Sequence, residues 1–351
     1  MQSIYMVHRM CNKMLIPSPP RPHHGPPAGA GAFAWRYLDL VDPAGDGVVL
    51  IWGWALPFLA PDPAGAASGA PNLNFIAYRG GIAVFYHLQV FDPSEVRPEG
   101  AGWRFGPNLL QSECIGDRWR VRADLDLPIA GQSEGAKALV TLDGPAAFGH
   151  LHGTGPHRWS ILSAVADATA EIRLPGGASL SFRGRGYHDE NESDRPLSAL
   201  GIDEWTWGRI AEPRRDLVHY RCTGSGEPVG LHVGVAESGA LTFEALGAMP
   251  GTGRIGGTWG HHAPATIEVH DQLIQAGPVV DDSSFYIRFS LRSATGLGWG
   301  ESVRPAAIES WWMRRLVPLC VTTPRAPSFL LPMFSGPRTN RVQRTLAWWM
   351  R

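Results

Sequence analysis

A chain of 351 residues, 44% apolar and 18% charged with a net charge of −1, is long enough for two globular domains. That charge balance excludes the basic footprint of a nucleic-acid binder. No segment reaches the roughly 18 uninterrupted apolar residues of a membrane-spanning helix.

Composition adds direction. The 14 tryptophans suit apolar, extended ligands as well as ordinary cores, while 42 glycines and 30 prolines imply many turns and few long helices. Cys11, Cys114, Cys222 and Cys320 are far apart and form no CxxC pair. That argues against a zinc ribbon or redox motif and fits reduced thiols in a cytoplasmic protein.

In chain order, residues 1–31 read as a leader. His8, Arg9, Cys11, Asn12 and Lys13 interrupt its apolar residues, so no secretory core forms. Residues 15–31 are dominated by proline and glycine and predict a flexible stretch, with order beginning near Phe33. Val48 to Ala60 carries Gly53 and Pro57 and reads as a buried strand. Gly80-Gly81 predicts a hairpin joining Leu73–Arg79 to Ile82–Gln89. Trp119 to Leu127 alternates strictly. Its Trp119, Val121, Ala123, Leu125 and Leu127 share one face, and its charged residues share the other, as in a half-buried strand. A second Gly-Gly hairpin, around Gly176-Gly177, joins Ala170–Leu174 to Ala178–Arg183. Further strands are predicted at Leu217–Cys222, Val229–Ala236, Ala240–Leu246, Ala265–His270 and Phe285–Arg292. Many short strands with turn signals between them predict an all-β sandwich or barrel architecture.

Residues 311–351 change character. They hold seven arginines, no Asp or Glu, and Trp311, Trp312, Trp348 and Trp349. Arginine with interfacial aromatics suits an anionic membrane surface. The plainer reading is a tail that wraps the barrel and buries its tryptophans. The expected location is cytoplasmic, with a peripheral place on the inner membrane as the tail's alternative.

Several motifs carry little. Gly131 to Gly135 matches GxSxG, yet a strand follows it where a nucleophile elbow needs a helix. Gly251, Gly253 and Gly256 match GxGxxG without a βαβ unit. His150, His152 and His157 lack a further ligand of suitable spacing, so no metal site is expected. The acidic run Asp189, Glu190, Glu192 and Asp194 lacks a calcium loop's glycine and spacing, and its plain reading is a solvated turn.

Two stretches remain. Gly155-Pro156-His157-Arg158-Trp159 is one. Gly184-Arg185-Gly186-Tyr187-His188-Asp189-Glu190-Asn191 is the other, continuing to Asp194-Arg195-Pro196-Leu197 and Trp205-Thr206-Trp207. His157 with Trp159, and Tyr187 with Asp189, are spaced two apart and share a face if the stretches are strands. An acid, a phenol, an imidazole and an indole would then converge.

This ordered set resembles the core signature of the carotenoid 1,2-hydratase (hydroxyneurosporene synthase) family and its lipocalin-like relatives. Gly298 to Pro305 is similar to a segment near the end of such proteins. Two stretches depart from the family pattern, Glu192-Ser193 and Asn72-Leu73-Asn74-Phe75. The resemblance implies two lipocalin-like domains, a β-sandwich over 32–200 and a β-barrel over 201–310, with an apolar tunnel and no cofactor. It also implies addition of water to the terminal C=C bond of an acyclic carotenoid or related terpenoid.

That chemistry needs a neutral acid, which an apolar tunnel provides by raising a carboxyl pKa. Asp189 is the expected donor. Trp159 would face the cation with its ring, Tyr187 would hold the water or orient the carboxyl, and His157 would relay the proton to solvent. Trp205, Trp207 and Trp299 are expected to line the substrate. Two alternatives on the same scaffold are a cyclase or isomerase of another hydrophobic substrate and a non-catalytic lipid carrier.

Overall fold

The computed structural model describes residues 31–55, 70–129, 133–147, 158–225, 229–245, 253–257, 260–269, 272–283 and 285–308, with Pro27. The rest of the leader, the basic tail and His150, His152 and His157 lie outside the described residues.

The first sheet comprises β1 (Phe33–Val41), β2 (Gly47–Trp54), β3 (Pro71–Arg79), β4 (Ile82–Val90), β5 (Val96–Glu99), β6 (Gly102–Phe105), β7 (Asn108–Ile115), β8 (Arg118–Leu127), β9 (Ala136–Pro145), β10 (Arg158–Arg173) and β11 (Ser179–Ser193). Its antiparallel order is β4-β3-β2-β1-β11-β10-β9-β8-β7-β6-β5. The chain reaches the second sheet through a turn at Leu197–Leu200. That part holds β12 (Ile202–Ala211), β13 (Arg215–Gly224), β14 (Val229–Ala236), β15 (Leu241–Ala245), β16 (Arg254–Gly256), β17 (His262–Pro264), β18 (Thr266–Val269), β19 (Gln272–Asp282), β20 (Tyr286–Arg292) and β21 (Leu297–Val303). The second sheet is ordered β15-β14-β13-β12-β21-β20-β19-β18, with β16 and β17 as a separate pair. Apart from 3-10 turns, the helical segment among the described residues is the single turn Pro305–Ile308.

Sequence chemistry accounts for these elements. Along β8 the alternating apolar residues are buried and their arginine and aspartate neighbours are largely exposed. Gly80 and Gly81 adopt φ of +60° and +73°, the left-handed pair that a two-residue hairpin needs between β3 and β4. The first sheet curls until its ends meet. Trp54 of β2 packs edge-on against Trp103 of β6 with centroids 5.2 Å apart, and Phe91 packs on Phe105 at 5.8 Å.

Alternation then gives β1, β2 and β3 two different apolar faces. Leu38, Leu40, Leu50, Trp52, Leu73 and Phe75 fill the inside of the curl with residues of β8 and β9. Trp35, Tyr37, Val49 and Ile76, on the opposite face, pack with Trp207, Val218, Tyr220 and Trp299 of the second sheet. The second sheet therefore lies on the outer face of the first.

Buried ions tie the two together. Arg209 of β12 pairs with Asp216 of β13 at 2.9 Å and with Asp39 of β1. Asp216 also accepts from the backbone N–H of Val165, which sits at φ +56° in a bulge of β10. The acidic run is not the solvated turn of its plain reading. Asp189, Glu190 and Glu192 belong to β11, where Glu190 pairs with Arg36 at 3.1 Å and Glu192 with Arg158 at 2.8 Å.

Candidate active site

Residues 187, 189 and 191 of β11 project from one face because strand side chains alternate. Register supplies their neighbours: Asp189 lies opposite Tyr37 of β1 and Ile161 of β10, and Asn191 lies opposite Trp35 and Trp159. Three donors converge on the carboxyl. Trp159 Nε1 donates to Asp189 Oδ2 at 2.8 Å, and the Tyr187 hydroxyl donates to the same oxygen at 3.0 Å. Asn191 Nδ2 donates to Oδ1 at 3.1 Å. With Oδ2 holding two donors, Oδ1 is the oxygen with room to carry a proton.

Asp189 is only 3% exposed. Burial pushes its pKa up to about 8, against the lowering effect of the Trp159 and Tyr187 hydrogen bonds, and the charges of Glu301 and Asp39 push the same way as burial. The carboxyl is therefore mostly neutral at pH 7.

Asp189 and Asn191 line a partly enclosed cavity between the two sheets, part of it open to solvent. Its walls are mainly apolar. Trp35, Ile51, Ile76, Leu197, Trp205 and Val303 contribute to them, as does Trp207, whose ring lies 5.1 Å from that of Tyr37 and 5.6 Å from that of Tyr187. The indole N–H of Trp207 has no partner among the described residues.

Polar wall residues come from Asn72 and Asn74 of β3 and from Arg288 and Glu301. Arg288 pairs with Glu301, donates to the Tyr286 hydroxyl at 2.7 Å, and lies over the rings of Tyr37, Tyr78, Tyr286 and Trp299. Its charge is thus neutralised within the wall.

The residues marked in the sequence separate into groups. Trp159, Tyr187 and Asp189 meet, while His157 lies outside the described residues. Trp205 and Trp207 line the cavity. Trp299 does not: it is 2% exposed, packs edge-on against Tyr78 at 5.2 Å and backs Arg288, so it supports the wall from behind. Trp159 is stacked on Tyr220 with centroids 4.8 Å apart and planes 11° apart, so one ring face is covered. His188, inside the same motif, points to the other core. There its Nδ1 meets Tyr37 O at 2.7 Å and burial lowers its pKa to about 3. Among the described residues no three His, Cys, Asp or Glu side chains gather as a metal site.

The profile of the carotenoid hydratase CrtC family matches residues 132–326, more than half of the chain and the part that carries Trp159, Tyr187 and Asp189. The chain belongs to the carotenoid hydratase CrtC family. Within the curated proteins it is 28% identical over 228 residues to the hydroxyneurosporene dehydrogenase of Chlorobaculum tepidum. That alignment takes in 54% of this chain and 56% of the relative, so the chain spans little more than half of that protein's length. Two solved structures share the fold. A protein assigned as an AttH from Nitrosomonas europaea superposes with a TM-score of 0.55 at 15% identity, covering 82% of this chain and 99% of that one. CghA in complex with Sch210972 does so with a TM-score of 0.51 at 12% identity, covering 83% and 98%. These likenesses establish an all-β, lipocalin-like architecture for this CrtC-family chain.

Sequence reasoning missed Trp35, Tyr37, Tyr220, Arg288 and Glu301. A signal existed for the first two. Trp35 and Tyr37 are two apart at the start of the first strand, in step with Asp39, and the Tyr37 hydroxyl donates to that carboxylate at 3.2 Å. Glu301 sits inside the Gly298 to Pro305 segment but carries no local mark of its pairing with Arg288.

Proposed function

We propose that this CrtC-family chain is a hydro-lyase that adds water across a C=C bond of an acyclic carotenoid or related terpenoid, with Asp189 as acid and then base and without a cofactor. The observation that carries the reading is one buried carboxyl, held by three donors at the wall of an apolar cavity, where burial raises its pKa to about 8.

The steps follow from that geometry. An unactivated trisubstituted alkene reacts with water only after protonation. Asp189 gives the proton on Oδ1 to the less substituted carbon, and the alkene π electrons form the new C–H bond. A tertiary cation and a carboxylate result. Trp159, Tyr187 and Asn191 are already aimed at the carboxylate, so they stabilise the charge as it develops without reorganising. Trp35, Trp205 and Trp207 line the cavity in which the cation forms, and an indole ring turned to a desolvated cation contributes roughly 2 kcal/mol. A water follows from the side of the cavity that is open to solvent. That water's oxygen closes on the cation, and its surplus proton returns to Asp189, restoring the acid. Trp159 serves here as a donor to the acid, and Tyr187 orients it.

The test is incubation of the purified protein with lycopene in ¹⁸O-labelled water and no added cofactor. One labelled tertiary hydroxyl is expected from the wild type and none from Asp189→Asn. A wild type without labelled product, or an Asp189→Asn variant as active as wild type, would sink the reading.

A further inference from the structure

Two acids stand in the cavity wall, Asp189 on β11 and Glu301 on β21. The proposed chemistry uses only the first. Alternation along β21 places the second. Trp299 and Val303 belong to the core that the two sheets share, while Ser302 turns away and meets His261 Nε2 at 2.9 Å. Glu301 therefore lies on the face of β21 that looks toward the first sheet. Its partners across the ladder are Trp207 of β12 and Arg288 of β20, and both line the same cavity.

The two oxygens of Glu301 are not equally engaged. Arg288 Nη2 donates to Oε1, whereas Oε2 receives no hydrogen bond among the described residues. The side chain is 15% exposed and Oε2 is not a sealed atom, so a small molecule in the cavity can reach it. An ion-paired carboxylate oxygen can only accept. Other polar groups of the wall are less open to a donor. Asp189 already holds three, and the buried Oδ1 of Asn74 is sealed. A hydrocarbon polyene carries no donor, so the reactant that can meet Oε2 is water.

We propose that Glu301 is a second catalytic residue of this site: its Oε2 accepts a hydrogen bond from the attacking water and holds that water's oxygen toward the cation. This rests on the hydratase reading and adds the group that delivers the nucleophile. The water arrives with both hydrogens. As its oxygen forms the C–O bond, the hydrogen held by Glu301 stays on oxygen as the product's hydroxyl. The other leaves as the proton that restores Asp189, and the Arg288–Glu301 pair is unchanged. Asp189 comes from the first sheet and Glu301 from the second, so acid and water holder flank a substrate lying between the sheets. A cation that meets no water instead returns a proton to Asp189 and becomes an alkene again.

The test runs the reaction on lycopene in D2O at low conversion and follows two fates of one cation. Captured cations appear as hydroxylated carotenoid. Reverted cations appear as recovered lycopene carrying deuterium, because Asp189 exchanges with solvent and delivers a deuteron. The wild type is expected to give mainly alcohol. Glu301→Gln keeps an acceptor for Arg288 but loses the charge, and should raise the ratio of deuterated lycopene to alcohol roughly 10-fold. Glu301→Asp keeps the charge but draws the oxygen back. It should raise the ratio too, and it preserves the ion pair if the glutamine variant does not fold. The ratio is independent of how much protein is folded, so a merely structural role for Glu301 would lower both products together and leave it unmoved. A wild-type ratio in these variants overturns the assignment and leaves the hydratase reading standing. Neither alcohol nor deuterated lycopene from the wild type sinks the hydratase reading and the assignment with it.

Discussion

At Asp189 two opposing effects meet. Hydrogen bonds from Trp159 and Tyr187 favour the carboxylate, burial favours the acid, and burial is the larger. The proposed chemistry needs that order, because only the protonated form can donate to an alkene. Activity is therefore expected in full well below pH 8 and should fall as pH rises through about 8, where Asp189 ionises. Trp159→Phe keeps the ring and removes the N–H donor to Oδ2. With one carboxylate-stabilising bond gone, the descending edge of the kcat/KM profile should move to higher pH. The maximal rate should also fall by roughly 10-fold or more, since about 1.4 kcal/mol of lost transition-state stabilisation is one decade. An edge that stays in place or moves down would contradict the assigned direction of that hydrogen bond.

At the level of strands, the site is a product of register. Tyr187, Asp189 and Asn191 share a face of β11, and the pairing with β10 brings Trp159 opposite Asn191. Gly53 of β2 lies in the neighbouring row, between Asn72 and Trp35. A Cβ there would come within 2.1 Å of Ala34 O and 2.6 Å of Trp35 Cα. Gly53→Ala must therefore push β1 and β2 apart beside a cavity-lining tryptophan. A loss of about 1–3 kcal/mol in urea unfolding is expected, and an unchanged midpoint would show that the strands yield freely. The same period-two logic made much of this legible in advance. Alternation revealed β8, the Gly80-Gly81 pair revealed the β3–β4 hairpin, and the spacing of Tyr187 and Asp189 put them on one face. What stayed hidden was long-range. Nothing near residue 299 tells that Trp299 stands behind Arg288, and nothing near Glu190 tells that Arg36, 154 positions away, draws the acidic run into a strand.

Across the whole molecule, the cavity belongs to neither sheet alone. Its walls are β1, β2, β3 and β11 on one side and β12, β20 and β21 on the other, with the buried Asp39–Arg209–Asp216 cluster locking the two together. Without the second sheet, β11 would present Asp189 to water, and its carboxyl would return toward the ordinary range near 3.8. Closure of one sheet over the other is thus what makes an acid of this aspartate. The most direct test is an infrared pH titration of the wild type minus Asp189→Asn. The account predicts a protonated carboxyl C=O band at neutral pH that gives way to carboxylate absorption as pH rises through about 8. A difference spectrum showing only carboxylate already at pH 6 would contradict it.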